Sequence, residues 1–190
     1  MLIRGSLIIA GKLPERYRNQ NMAGPSVSIL ARFLQPLPSW RDVLTPSVTS
    51  WYPGDECGVS NTIRIGGTYI GDERPFVGSI DPWIFDANEF PDDAAISDAV
   101  RQFTGIEWTH SIVVAAMCNQ RQDHRVLCEL AIDIAVRIDG VIDFDRIDAP
   151  IDSMLRRCDW TFDNEEHWTM IGTPDNARAW LAHPRFHMCK

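Results

Sequence analysis

Lysine is almost absent from this chain of 190 residues, which has only Lys12 and Lys190. Lysine and arginine together number 18 against 26 aspartates and glutamates, so the formal net charge is -8. Proteins that neutralise nucleic-acid phosphates or anionic lipid surfaces need clustered basic side chains. The composition therefore argues against a general nucleic-acid binder and against a polybasic membrane patch.

Long hydrophobic runs and paired cysteines are also missing. The longest mostly apolar run, residues 112–117, is far shorter than the roughly 18 to 20 residues of a membrane helix. The five cysteines are odd in number and include no C-x-x-C pair, which fits neither a disulfide framework nor a zinc knuckle. We therefore expect a soluble, cytoplasmic protein whose thiols are small buried or half-buried groups.

Local motifs for nucleotide binding and catalysis are absent as well. Gly66, Gly67 and Gly71 lie between predicted strands, whereas a phosphate-binding loop joins a strand to a helix. No G-x-S-x-G elbow occurs, and no local signature surrounds any cysteine. A catalytic triad assembled from distant residues stays open, because it needs no local motif. The sequence thus assigns no catalytic residue, no metal and no cofactor.

The clearest pattern in the chain is a helix, a glycine and a strand within residues 123–144. Gly140 follows the helix where a left-handed C-cap is expected, and residues 141–144 predict the strand. The apolar helix positions recur at intervals of three and four, so one stripe must face a core. These positions are Leu127, Leu130, Ala131, Ile134, Ala135 and Ile138.

The remaining elements predict an α+β fold with one domain, in which two or three helices pack on a mostly antiparallel sheet. A helix beginning at Asp92 is closed by Gly105, and a last helix begins after Thr173. A short helix is also predicted around Trp40. Strands are predicted at residues 26–33, 62–66, 75–80 and 108–117, and a hairpin at 158–162 and 167–171.

The first 22 residues are predicted to be a loosely ordered extension of a domain that spans residues 23–190. A short apolar stretch at residues 7–10 is followed at once by a polar run, which does not match a secretory signal. Met22 stands immediately before the first strand-like segment, so translation could begin at Met1 or at Met22.

Negative charge is concentrated in the last third of the chain. Residues 139–175 hold ten carboxylates and three arginines, an excess that accounts for nearly all of the net charge. The carboxylates are Asp139, Asp143, Asp145, Asp148, Asp152, Asp159, Asp163, Glu165, Glu166 and Asp175. This pattern predicts an acidic face on the domain.

Some of these carboxylates have a spacing that would suit a divalent metal ion. Asp143 and Asp145 are two apart on the predicted strand and so point to one face, with Asp148 and His167 as further candidate ligands. Aspartates that follow a strand are also common as turn formers and helix caps. Metal ligation and structural roles both remain open from the sequence.

Two of the seven tryptophans, Trp160 and Trp168, flank the acidic turn of the predicted hairpin. Aromatic rings beside carboxylates are typical of an interface for a basic protein, in which the rings anchor and the charges steer. An ordinary solvated sheet edge with two half-buried indoles has the same composition. The residues alone leave both alternatives open.

Two runs of the chain, AGPSVSI at residues 23–29 and LCELA to IDGVIDF at residues 127–144, resemble a family of bacterial domains. Members of such families recur as immunity proteins beside secreted polymorphic toxins, including effectors of contact-dependent and type VI systems. The resemblance covers residues 23–185 and implies a cytoplasmic protein that blocks one cognate toxin by occlusion, without a catalytic residue.

Combining the resemblance with the charge pattern, we expect a toxin-binding protein whose partner is a basic nuclease or nucleotide-targeting domain. The expected partners include neither nucleic acid nor a membrane. The alternatives are a metal-dependent hydrolase using Asp143, Asp145 and His167, and a small-molecule sensor with an aromatic pocket. The expected toxin-binding residues are Asp143, Asp145, Asp148, Trp160, Asp163, Glu165, Glu166 and Trp168.

Overall fold

The computed structural model describes residues 24–32, 48–51, 63–69, 75–83, 88, 90–116, 119–150 and 153–188. The predicted N-terminal extension and the predicted short helix around Trp40 lie outside these ranges. The structural statements that follow concern the described residues.

One antiparallel sheet organises the described chain. Its strands are β1 (Ser26–Ala31), β2 (Val48–Trp51), β3 (Ile63–Tyr69), β4 (Pro75–Pro82), β5 (His110–Ala116), β6 (Val141–Asp143), β7 (Arg156–Phe162) and β8 (Glu165–Gly172). The strand order is β2-β3-β4-β5-β1-β6-β8-β7, so β2 and β7 are the outermost strands. The helices are α1 (Pro91–Thr104), α2 (Arg121–Ile138) and α3 (Pro174–Ala182). The predicted single-domain α+β fold is confirmed.

Helices cover both faces of the sheet. On one face, α2 and α3 bury a core that joins Leu127 and Trp180 to Ile29 and Ile142 of the strands. On the other face, α1 buries a smaller cluster in which Val100 packs near β1, β7 and β8. Side chains that alternate along a strand point to opposite faces, so the central strands β1 and β6 and their neighbour β8 contribute to both clusters. On the first face α2 packs on β1, β5 and β6 and α3 on β6 and β8, whereas α1 packs on β7 from the other face.

The two helix-ending glycines have different roles. Gly105 has φ 71°, and its N–H bonds to the carbonyl of Arg101 at 2.8 Å, which confirms the predicted left-handed cap of α1. After α2 the prediction is wrong, because the left-handed residue is Asp139, with φ 52°. A Cβ on Gly140 would lie 2.6 Å from the carbonyl oxygen of Leu30. Gly140 is therefore needed for close approach to β1 rather than for the cap.

None of the helices in the described ranges is both long enough and apolar enough to cross a membrane. The longest, α2, has 18 residues, but its outer side carries charges such as Arg125 and Glu129. Its apolar stripe is the one predicted from the spacing, and it faces the sheet.

Candidate functional site

The hairpin formed by β7 and β8 carries most of the predicted site. Phe162 pairs with Glu165 across a two-residue turn, Asp163 and Asn164, whose φ angles are 50° and 61°. Two consecutive positive φ angles are the geometry of a type I′ turn, which matches the natural twist of a hairpin. Asp and Asn tolerate this left-handed conformation better than most residues. The turn therefore fixes the register of the hairpin.

Negative charge at the tip of this hairpin is not compensated. Asp163, Glu165 and Glu166 are exposed, and no ion pair of the described residues reaches them. Farther along β7, the carboxylate of Asp159 accepts from the Nε of Arg157 at 2.6 Å. The tip thus presents three carboxylates to solvent, where they are free to interact with a positively charged partner.

The two flanking tryptophans lie on opposite faces of the hairpin. Trp160 lies opposite His167, and Trp168 lies opposite Asp159, the residue before Trp160. Opposite residues share a face and consecutive residues of a strand alternate between faces, so the two indoles are on different faces. Trp160 stacks on the His167 ring with centroids 5.7 Å apart, on the α1 side. Trp168 lies under the Arg157 guanidinium on the α2 side. The two predicted toxin-binding indoles therefore do not share one face of the hairpin.

Asp143 is part of the core and not of the acidic surface. Its side chain is only 3% exposed, and its Oδ1 accepts from the Thr169 hydroxyl and, at 2.9 Å, from the Asp145 N–H. A carboxylate held this way is closed off from any macromolecule. This burial does not support the prediction that Asp143 contacts a partner, because the side chain points into the protein instead of into solvent.

Asp145 and Asp148 form a second group, away from the hairpin tip. Asp145 is half-buried with φ 57°, and its carbonyl accepts the N–H of Met170. Asp148 is exposed and pairs with Arg185 at 3.2 Å. Met170 and the tip residue Glu166 are four residues apart on β8, a separation of about 13 Å at the rise of an extended strand. The predicted site residues therefore do not form one continuous patch.

The geometry does not support a metal site formed by Asp143, Asp145 and His167, the residues of the hydrolase alternative. Strand β6 ends at Asp143, so Asp145 lies in the following turn and not on the same strand face. The Nδ1 of His167 accepts from the Arg146 guanidinium at 2.7 Å, because a guanidinium has only donors. Within the described residues no group of three His, Cys, Asp or Glu side chains is placed to share a metal ion.

A groove between α1 and β7 is the feature that sequence reasoning missed. It has a volume of about 550 Å³, and its walls include Ala95, Ala99 and Phe103 of the helix and Trp160 of the strand. The apolar spacing of α1 indicated a buried face but not the strand that the helix would contact. The small side chains Ala95 and Ala99, four apart on one side of α1, were the available signal of open space beside it.

Neither described cysteine is poised as a nucleophile. Burial, with the carboxylate of Glu129 as a smaller cause, raises the pKa of Cys128 to about 12. Burial, together with the carboxylates of Asp143 and Asp159, raises the pKa of Cys158 to about 11. The thiolate is the reactive form, so both groups stay protonated and inert near neutral pH. This confirms the predicted buried thiols at these two positions.

We expect these two thiols to resist alkylation in the native protein. In a variant with serine at Cys57, Cys118 and Cys189, iodoacetamide near pH 8 should react at least about ten-fold more slowly in buffer than in urea, because burial disfavours the thiolate. Mass spectrometry over time measures the rate at Cys128 and Cys158. Equal rates in buffer and urea would contradict the burial.

Comparison with known proteins adds a family but no relative of known activity. A family model described as a family of unknown function, DUF6368, matches residues 23–190. No curated protein and no solved structure matches the chain. Because the matching model covers most of the chain, including the hairpin and its groove, the protein belongs to the DUF6368 family.

Proposed function

We propose that this protein is an immunity protein that binds a cognate secreted bacterial toxin in the cytoplasm and neutralises it by occluding its active site. The observation that carries the proposal is the cluster of exposed, unpaired carboxylates at the β7–β8 tip, Asp163, Glu165 and Glu166. An exposed acidic hairpin tip suits the cleft of an enzyme that handles nucleic acid or nucleotides, since such clefts are basic.

Long-range attraction gives this surface a kinetic advantage. Complementary charge accelerates encounter, and steered association can reach the order of 10⁸ M⁻¹s⁻¹ at low salt. An inhibitor that must capture a toxin before damage occurs benefits more from the association rate than most binding proteins do. The net charge of -8 adds to the attraction of a basic toxin and opposes self-association.

Trp160 is the better candidate for the aromatic anchor. It lies beside the α1–β7 groove and near the tip, whereas Trp168 is on the other face beneath Arg157. Buried interfaces commonly centre on one or two aromatic side chains that fill a pocket, with charged groups around them. We therefore assign anchoring to Trp160 and steering to the tip carboxylates, and leave Asp143 out of the interface.

Co-expression tests the proposal directly. The neighbouring gene should encode a large secreted protein with a variable C-terminal domain, and expression of that domain alone should stop growth. Co-expression of this protein should restore growth, and the two chains should co-purify. Growth arrest that persists at equal expression of both chains, with no complex, would overturn the proposal.

Charge reversal at the tip should slow the association with that toxin domain. For the double variant Glu165→Lys/Glu166→Lys we expect the association rate constant to fall about ten-fold at low salt and to depend less on ionic strength. Stopped-flow or surface plasmon resonance at several salt concentrations measures both effects.

The matched control for this variant is Glu107→Lys/Glu129→Lys, which makes the same change of net charge at exposed positions away from the hairpin. If steering is a property of total charge alone, both double variants will slow association equally. An unchanged association rate in the tip variant would remove these two residues from the interface.

A further inference from the structure

In the part of the chain that the structure describes, β7 is the last strand of the sheet and its outer edge is open. No strand of the described residues pairs with its outer side. Unpaired N–H and C=O groups along an edge are a template for one more strand, which proteins either block or use for recognition. The groove described above adjoins this edge at Asp159 and Thr161, and its helix wall combines Ala95, Ala99 and Phe103 with the polar side chains Asp98 and Gln102.

The hydrogen-bond pattern of β8 identifies which residues of β7 present this edge. The N–H of Met170 donates to the carbonyl of Asp145, and its C=O accepts from the N–H of Phe144, so both groups point toward the β6 side. Met170 is opposite Arg157 in the β7–β8 pairing. In an antiparallel pair of strands, the backbone N–H and C=O groups of two opposite residues either all point toward the partner strand or all point away from it.

It follows that the backbone groups of Arg157 point away from β8, and by alternation so do those of Asp159 and Thr161. The intervening residues Cys158 and Trp160 use their backbone groups in the hairpin ladder. The two-residue turn gives the same result independently. Its closing residues, Phe162 and Glu165, bond to each other, so the backbone groups of Thr161 point outward and the direction alternates from there along β7. Of the three residues with outward backbone groups, Asp159 and Thr161 line the groove.

The groove has room for the side chains of an added strand. Side chains of such a strand on the α1 side would enter the space above Ala95 and Ala99, between Phe103 and Trp160. Alternate side chains would lie on the other face, beside Asp159. Ala95, Ala99 and Phe103 would therefore contact small or medium apolar side chains at every second position of the added strand.

Charge indicates what kind of segment occupies the edge. Past Thr161 the edge leads to the tip, where Asp163, Glu165 and Glu166 have no described ion-pair partner. An extended segment with Lys or Arg at that end would pair with them. A second copy of this chain brings the same net charge of -8 and is repelled at long range. A basic segment of another protein is the better fit.

We propose that the partner toxin donates an extended, basic segment that adds to β7 as a further strand of the sheet, with its alternate side chains in the α1 groove. This inference rests on the proposed function and specifies how the toxin is held. Main-chain bonds to Arg157, Asp159 and Thr161 provide affinity. The groove and the tip carboxylates select the sequence of the segment.

Amide hydrogen exchange tests this arrangement without any mutation. The probes are the catalytically inactivated toxin domain from the neighbouring gene and twelve-residue peptides that tile it. In the free protein the N–H groups of Arg157, Asp159 and Thr161 should exchange fast, and those of Cys158 and Trp160 slowly. Saturation with the toxin domain, or with one basic peptide, should slow the three outward amides at least about ten-fold. Unchanged exchange in the complex would overturn the proposal.

Proline substitution provides the second test. Asp159→Pro removes one outward donor without removing a hairpin bond, and Asp159→Ala removes the same carboxylate while keeping the N–H. We expect Asp159→Pro to bind at least about ten-fold more weakly than Asp159→Ala. Ala95→Leu, which fills the groove, should also weaken binding, whereas Ala94→Leu on the same helix should not. Thermal unfolding of each variant checks the fold.

The outcomes separate this proposal from the proposed function. If the wild-type protein rescues growth and binds, and the proline and groove variants bind like their controls, the toxin docks elsewhere and only the added strand is wrong. If the wild-type protein neither binds nor rescues, the immunity function itself fails. A dimer in which the three outward amides are protected without toxin would assign the edge to a second copy and overturn the proposal.

Discussion

Asp143→Ala will destabilise the protein by about 3 kcal/mol, the range expected when a buried acceptor is removed from two donors. The Asp143 carboxylate accepts from the Thr169 hydroxyl and from the Asp145 N–H at a site that is 3% exposed. Alanine leaves both donors without this acceptor, and the Thr169 hydroxyl, at a residue only 1% exposed, is cut off from bulk water. Urea unfolding followed by tryptophan fluorescence measures the loss as a lower midpoint.

Two further variants separate the loss of the hydrogen-bond acceptor at Asp143 from the loss of a negative charge. Asp143→Asn keeps an oxygen in place for both donors, so we expect a smaller loss, about 1 kcal/mol, from the weaker neutral bonds. Asp148→Ala removes an exposed carboxylate with a surface ion pair to Arg185, and its midpoint should stay within experimental error. Equal losses for Asp143→Ala and Asp148→Ala would contradict the buried network.

Asp143 also illustrates why the acidic segment could be recognised from sequence while its working surface could not. The count of carboxylates between residues 139 and 175 is visible in the sequence, but their directions depend on the strand pairing. Asp143 points inward because β6 pairs with β8 through Ile171. Asp163, Glu165 and Glu166 point outward because they form a turn and the strand start beside it. Composition does not distinguish these two situations.

The opposed tryptophans were within reach of sequence reasoning. Turns of two or of four residues both place Trp160 and Trp168 on different faces of the hairpin, because both lengths keep the same alternation. The two possible turns differ in register but not in this result. The predicted hairpin therefore already implied opposite faces for the two tryptophans, as their opposite residues His167 and Asp159 show.

Helices and strands were predicted better than their packing. The apolar stripe of α2 and the left-handed Gly105 are local features, so spacing and backbone preference were sufficient. The α1–β7 groove joins elements more than fifty residues apart in sequence, and no pattern within either element records that contact. The open edge of β7 likewise depends on a strand order that the sequence does not display.

Gly140→Ala is the second substitution with a large expected effect, a loss of about 3 kcal/mol from overpacking against backbone. The added methyl group would lie 2.6 Å from the carbonyl oxygen of Leu30 and 3.2 Å from a side-chain carbon of Ile29. That part of β1 is paired with β5 and β6, so it has little freedom to move without losing ladder bonds. Urea unfolding again measures the loss.

Alanine substitution at two other glycines tests whether the loss at Gly140 comes from contact with backbone or from a cost that every glycine position shares. At Gly172 the added Cβ would also lie 2.6 Å from an atom, but that atom is the end of the Leu155 side chain, which can rotate away. At Gly105 nothing lies within 4 Å, and the cost is the left-handed backbone, about 1 kcal/mol. We expect Gly140→Ala to destabilise the most, since only there does the new group meet a fixed backbone oxygen. If Gly172→Ala proves as costly as Gly140→Ala, contact with backbone is not what determines the loss.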